Sequence, residues 1–105
     1  MKILFDQGTP VPLRTFLDGH TVETAFEKGW SELINGDLLD KAEEEGFNLM
    51  ITTDQSLRYQ QNIDGRRIAL IVLKTTSWNL IKSSVERVVE ALERCDRQPY
   101  QEFRF

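Results

Sequence analysis

The stretch Ile68-Ala-Leu-Ile-Val-Leu73 sets six apolar residues in a row with no polar position among them. Successive side chains of a strand point to opposite faces of the sheet, so an unbroken apolar run is stable only where both faces are covered. That requirement points to a parallel sheet packed between helices. Two further short runs have the same character, Lys2-Ile-Leu-Phe5 and Asn48-Leu-Met-Ile-Thr52-Thr53, and each ends at an aspartate, Asp6 in the first and Asp54 in the second. Segments of helical period lie between the runs. Strand and helix in alternation predict an α/β chain, a three-layer α/β/α fold around a central parallel sheet with right-handed crossovers. In such sheets the site lies at the carboxyl ends of the strands, where Asp6 and Asp54 fall.

The remaining elements follow from local signals. Thr9 is placed to cap a helix that Pro10 opens, with Leu13, Phe16 and Leu17 as its apolar stripe. His20 to Ala25 alternates like a second strand and runs into an irregular stretch through Gly29-Trp30. Asn35-Gly36-Asp37 precedes Leu38, Leu39 and Ala42 at helical spacing, and Gly46 is placed to stop that helix. Ile81, Val85, Val88, Val89 and Leu92 mark one last amphipathic helix. Residues 95 to 105 are charged and aromatic without a period, and read as a tail or a partner-binding extension. With 105 residues, 40% of them hydrophobic, the chain suits a single domain.

Charge and composition narrow the chemistry. The net charge of −4 is unlike that of a polycation that coats nucleic acid. It is also unevenly divided: residues 1–57 carry 4 basic and 11 acidic side chains, residues 58–105 carry 9 basic and 6 acidic. An acidic half beside a basic half is compatible with a cation site next to a polyanion-binding face. Cys95 is the only cysteine and His20 the only histidine, so zinc clusters and Cys–His or Ser–His nucleophile systems have no basis. Gly8 stands alone after the first strand, without a glycine-rich phosphate loop. No apolar run approaches the ~20 residues that span a bilayer. The expected setting is the cytoplasm, with no membrane partner.

Taken singly, the acids have ordinary readings. Asp6 suits a turn, Asp37 the first turn of a helix, and Asp54 the cap of the segment beginning at Ser56. Taken together, they are brought by a parallel sheet toward one rim, where clustered carboxylates repel unless a cation lies between them. Mg2+ or Mn2+ suits such oxygen donors, and either ion polarises a phosphoryl oxygen and activates water for phosphodiester hydrolysis. Thr52, Thr53 and Ser56 are placed to support the acids through their hydroxyls. Arg58, Tyr59, Gln60, Gln61 and Asn62 follow with a cation, an aromatic ring and amides, groups suited to phosphate contact, base stacking and base-edge reading.

These segments resemble the PIN-like nucleases, in particular the small bacterial PIN-like proteins encoded as toxins beside an antitoxin. The resemblance rests on Lys2-Ile-Leu-Phe-Asp6, Gly19-His20-Thr-Val22, Gly29-Trp30 through Asn35-Gly36-Asp37-Leu-Leu39, Gly46-Phe47 through Thr52-Thr53-Asp54, Leu57-Arg58-Tyr59-Gln60-Gln61-Asn62, and the strand ending at Leu73. It spans roughly residues 1 to 92. It implies a metal-dependent endoribonuclease with Asp6, Asp37 and Asp54 as catalytic metal ligands for Mg2+ or Mn2+, RNA as substrate, an antitoxin protein as partner, and a homodimer as one arrangement. PIN nucleases carry a further acid two or three residues after the Thr-x-Asp element, where this chain has Ser56 and Leu57; its next acid is Asp64. That departure keeps a second reading open, a PIN-like protein-binding module without turnover. A third is a phosphoacceptor receiver domain, with Asp54 as acceptor and Lys74 as the cation, although receivers pair two acids after the first strand and here Gln7 follows Asp6.

Overall fold

The computed structural model describes residues 1–33, 35–57 and 65–105. Five strands form one all-parallel sheet in the order β2-β1-β3-β4-β5: β1 Lys2–Phe5, β2 Thr21–Thr24, β3 Leu49–Thr52, β4 Ala69–Leu73 and β5 Tyr100–Phe103. The three apolar runs of the sequence are the three central strands. Period-2 alternation divides their side chains cleanly between two cores. Ile3, Phe5, Leu49, Ile51, Ala69, Ile71 and Leu73 face one layer, while Leu4, Met50, Leu70 and Val72 face the other.

The first layer holds a 3-10 helix, Val11–Phe16, with two short α-helices, α2 Trp78–Lys82 and α3 Val85–Arg94. The second layer holds α1, Asn35–Glu44, which packs Leu38, Leu39 and Ala42 against the sheet beside Trp30 and Phe47. Gly46 follows α1 with φ +81°, the left-handed conformation that ends a helix and costs glycine little. The expected three layers are therefore present.

Three local expectations need correction. Thr9 does not cap a helix: Pro10 takes the N-cap place, and the turn is 3-10 rather than α, with Pro10 and Pro12 both lacking an N–H. The single last helix is two, because Ser77 caps α2 through its side chain, with Leu80 N–H 3.4 Å away, and the chain turns at Ser83-Ser84 before α3 begins. Finally, the end of the chain is not a free extension. Leu70 to Leu73 pair with Tyr100 to Phe103 in register. Gln101 is buried, its Nε2 donates to Ala91 O at 3.0 Å, and its Oε1 accepts from Arg94 Nη2 at 3.3 Å. Phe103 and Phe105 lie under the Arg87 guanidinium, 5.4 and 5.1 Å from it, so these rings are engaged within the chain.

Arg66 and Arg67 are tied to α1. Arg66 Nη1 lies 2.8 Å from Asp40 and 2.7 Å from Glu43, and Glu43 also accepts the Arg67 backbone N–H at 3.0 Å. Among the described residues no helix is long and apolar enough to cross a membrane.

If β5 is integral to the sheet, Gln101→Ala leaves the Ala91 carbonyl and Arg94 short of a partner and lowers unfolding free energy by about 1–3 kcal/mol in urea titration. A neutral substitution would mean that the strand contributes nothing to the fold.

Candidate functional site

The strand order reverses direction between β1 and β3: β1 continues to β2 on one side, and β3 leads to β4 and β5 on the other. Crevices at such a switch point open at the carboxyl ends of the strands. Asp6 lies one residue past the end of β1, with its backbone N–H donating to Ile51 O at 3.2 Å, so the β1–β3 ladder continues into the loop. Asp54 lies two residues past the end of β3. Both aspartates line one pocket of about 150 Å3, walled by Trp30, Ser31, Leu33 and Leu38.

Hydroxyls hold the two acids in place. Thr52 Oγ1 donates to Asp6 Oδ2 in a short hydrogen bond and accepts the Asp54 backbone N–H at 3.0 Å. Thr9 Oγ1 sits 2.8 Å from Asp6 Oδ1 and 2.8 Å from Ile51 O, and its single proton is available to one of them at a time. Asp54 Oδ1 accepts from Ser56 N–H at 3.0 Å and from Ser56 Oγ at 2.7 Å, a short turn closed on its own carboxylate. Gln7 Nε2 donates to Ser31 O at 3.0 Å, tying the loop after β1 to the far wall. Gly8 is required by space: a Cβ there would collide with Thr53 Oγ1.

Asp6 is the most perturbed acid of this rim. Burial pushes its carboxyl above the usual 3.8, and the bonds from Thr52, Thr9 and the loop N–H groups offset only part of that. Every group bonded to it is neutral, and no ion pair reaches it among the described residues. A half-buried carboxylate met only by neutral donors favours an added cation. The donor set here, two carboxylates with water-sized space between walls, fits a hard, oxygen-seeking ion that keeps part of its water shell.

The expected residues distribute unevenly. Asp6, Asp54, Thr52, Thr53 and Ser56 gather at the switch point. Asp37 stands exposed in the first turn of α1 and does not line the pocket; its neighbour Leu38 does. Among the described residues no three His, Cys, Asp or Glu side chains come together as a metal-holding group. Arg58, Tyr59, Gln60, Gln61, Asn62 and Asp64 lie outside the described residues. Lys74 follows β4 on the same rim, with Nζ 3.3 Å from Glu102. His20 lies at the opposite, amino edge of the sheet, with its Nδ1 3.3 Å from the Met1 amino group. Sequence reasoning missed Thr9 and Gln7; the first was hidden by its helix-opening context, and the second carried no signal. In comparison with known proteins the chain matches no family model, no curated protein and no solved structure.

The raised carboxyl of Asp6 has a stability consequence with a definite sign. The folded state holds the proton more tightly than the unfolded state, so stability falls as pH rises from about 3.8 through the higher folded value. In chelator-treated protein, the thermal midpoint of Asp6→Asn relative to the parent therefore climbs as pH is raised from 3 to 7. A difference that stays constant over that range would show that Asp6 ionises at no cost to the fold.

Proposed function

We propose that the protein is a metal-dependent ribonuclease that hydrolyses phosphodiester bonds at the Asp6–Asp54 pocket. The observation that carries this reading is the half-buried Asp6 carboxylate, held by two threonine hydroxyls with no counter-charge among the described residues, sharing a pocket with Asp54 at the switch point of the sheet. Mg2+ or Mn2+ supplies Lewis acidity toward a phosphoryl oxygen and lowers the pKa of a bound water when it occupies such a site. Asp6 and Asp54 would hold it. Thr52 orients Asp6 through a hydrogen bond to Oδ2 and fixes the Asp54 backbone at the same time. Ser56 fills one oxygen of Asp54, leaving Oδ2 without a hydrogen bond among the described residues. RNA as the substrate and the toxin role with an antitoxin partner enter on the family resemblance. So do the RNA contacts of Arg58 to Asn62. The third-ligand role that the resemblance gives Asp37 is not supported by its place outside the pocket.

One observation favours a second reading. Only two acids line the pocket among the described residues, which suits a PIN-like module that binds a partner without turnover. Metal titration separates the two.

Calorimetric titration of Mn2+ is expected to show binding to the parent and none to Asp6→Asn or Asp54→Asn, with circular dichroism confirming that the variants fold. Mn2+-dependent cleavage of single-stranded RNA disappears with the binding, and Thr52→Val reduces it by about 10–100-fold. A parent that neither binds Mn2+ nor cuts RNA contradicts the hydrolytic reading and leaves the binding module.

A further inference from the structure

The loop Asp6-Gln7 is a partition between two cavities. On one side is the pocket shared with Asp54; on the other is a larger cavity of about 580 Å3, bordered by Asp6, Thr9, Val11, Arg14, Thr24 and Phe26. Phe26 stands on the turn after β2 with 77% of its surface exposed, and Val11 begins the 3-10 helix with 55% exposed. They are the two most exposed large apolar side chains of the described residues, and both border this one cavity.

The wall between them is fixed. Arg14 meets Glu27 through two bonds, Nη1 to Oε2 at 3.2 Å and Nη2 to Oε1 at 2.5 Å, and the Thr24 N–H donates to Glu27 Oε1 at 2.9 Å. The Arg14 Nε–H has no hydrogen-bond partner among the described residues. The cavity thus offers an exposed aromatic ring, an aliphatic flank, the paired Arg14 and Glu27, and the Asp6 carboxylate of the proposed hydrolytic site.

Building on the hydrolytic reading, we infer that this cavity receives one unpaired base of single-stranded RNA, stacked on Phe26, while the adjoining phosphate crosses the Asp6-Gln7 partition to the carboxylate pocket. Continuity supports the assignment: one carboxylate borders both spaces, so neighbouring parts of one nucleotide chain reach both together. The net charge of −4 gives little long-range attraction for RNA, so the contact proposed is stacking, which does not depend on net charge. A base inside a duplex is already stacked, which makes the subsite selective for single strands. An apolar peptide side chain fits less well, because it would cover Asp6 without supplying a cation, whereas a nucleotide phosphate would bring its counter-cation.

The test uses the full chain, a labelled phosphorothioate RNA octamer and a hairpin carrying the same bases in duplex form. Fluorescence anisotropy in Mn2+ is measured for the parent and Phe26→Ala, with Mn2+ affinity followed separately by calorimetry. Phe26→Ala is expected to bind the octamer about tenfold or more weakly with Mn2+ affinity unchanged, and the parent to prefer the octamer over the hairpin. Octamer binding equal to that of the parent, with the metal site intact, overturns the base subsite alone and assigns the cavity to a peptide. Failure of a Mn2+-binding parent to hold the octamer also overturns it. A parent that binds neither Mn2+ nor RNA removes the hydrolytic reading and the subsite with it.

Discussion

At the carboxyl edge of the sheet one hydroxyl, Thr52 Oγ1, donates to the Asp6 carboxylate and accepts the Asp54 N–H. A hydroxyl can do both at once, and threonine is the β-branched residue that carries one, so the same side chain suits a strand and joins two acids. Thr52 is fully buried, which makes these bonds count. Their geometry is set by the core. Ile3 pairs with Leu49, Leu4 with Met50 and Phe5 with Ile51, and continuation of that register brings Asp6 beside Thr52. A slip of one residue would turn Thr52 to the other face and put Ile51 in its place. The hydrophobic effect that sorts Ile3, Phe5, Leu49 and Ile51 into one layer therefore also aligns the site.

The arrangement is not the most stable available to these strands. A carboxylate is drawn partly out of water and, among the described residues, met only by neutral donors, so burial makes its ionised form costlier than in water. Gly8 adds a second constraint, because the loop passes so close to Thr53 that a Cβ there would displace the Thr53 hydroxyl. Elsewhere the fold is well provided for, with Arg66 clamping α1 and Gln101 satisfying α3 and Arg94. Desolvation and a close backbone approach concentrated at one rim are the pattern expected of a functional site.

The central strands were legible because burial on both faces leaves continuous apolar runs, and their terminal aspartates were legible because the runs stop there. The sheet edge was not. Tyr100-Gln-Glu-Phe103 has a glutamine on the inward position, and its stabilising bonds come from Ala91 and Arg94, which no periodicity reveals. The break at Ser83-Ser84 was hidden because the apolar positions of α2 and α3 fall by chance on one helical period. Thr9 illustrates a different limit. Thr-Pro-Val-Pro is a sound helix opening by local rules, yet a second proline favoured a 3-10 turn, and the hydroxyl turned to Asp6 and Ile51, residues 3 and 42 positions away. Asp37 looked equivalent to the other two acids in the sequence, but it belongs to a helix start rather than a strand end, and the outcome is an exposed side chain.

That distinction between strand ends and a helix start shapes what the site can do. β1 and β3 are neighbours, so the residues that follow them are brought side by side by the ladder itself. α1 begins from the connection after β2, an edge strand, and delivers Leu38 to the pocket wall. Two carboxylates hold a hard divalent ion weakly on their own and leave most of its coordination shell to water and to whatever oxygen-rich ligand enters. On the hydrolytic reading, the substrate phosphate is then part of the metal site rather than a later arrival. On that reading, whatever factor the metal contributes to RNA affinity RNA would contribute to metal affinity, since linkage is reciprocal. Asp6, which borders both cavities, is the residue that would carry such a coupling.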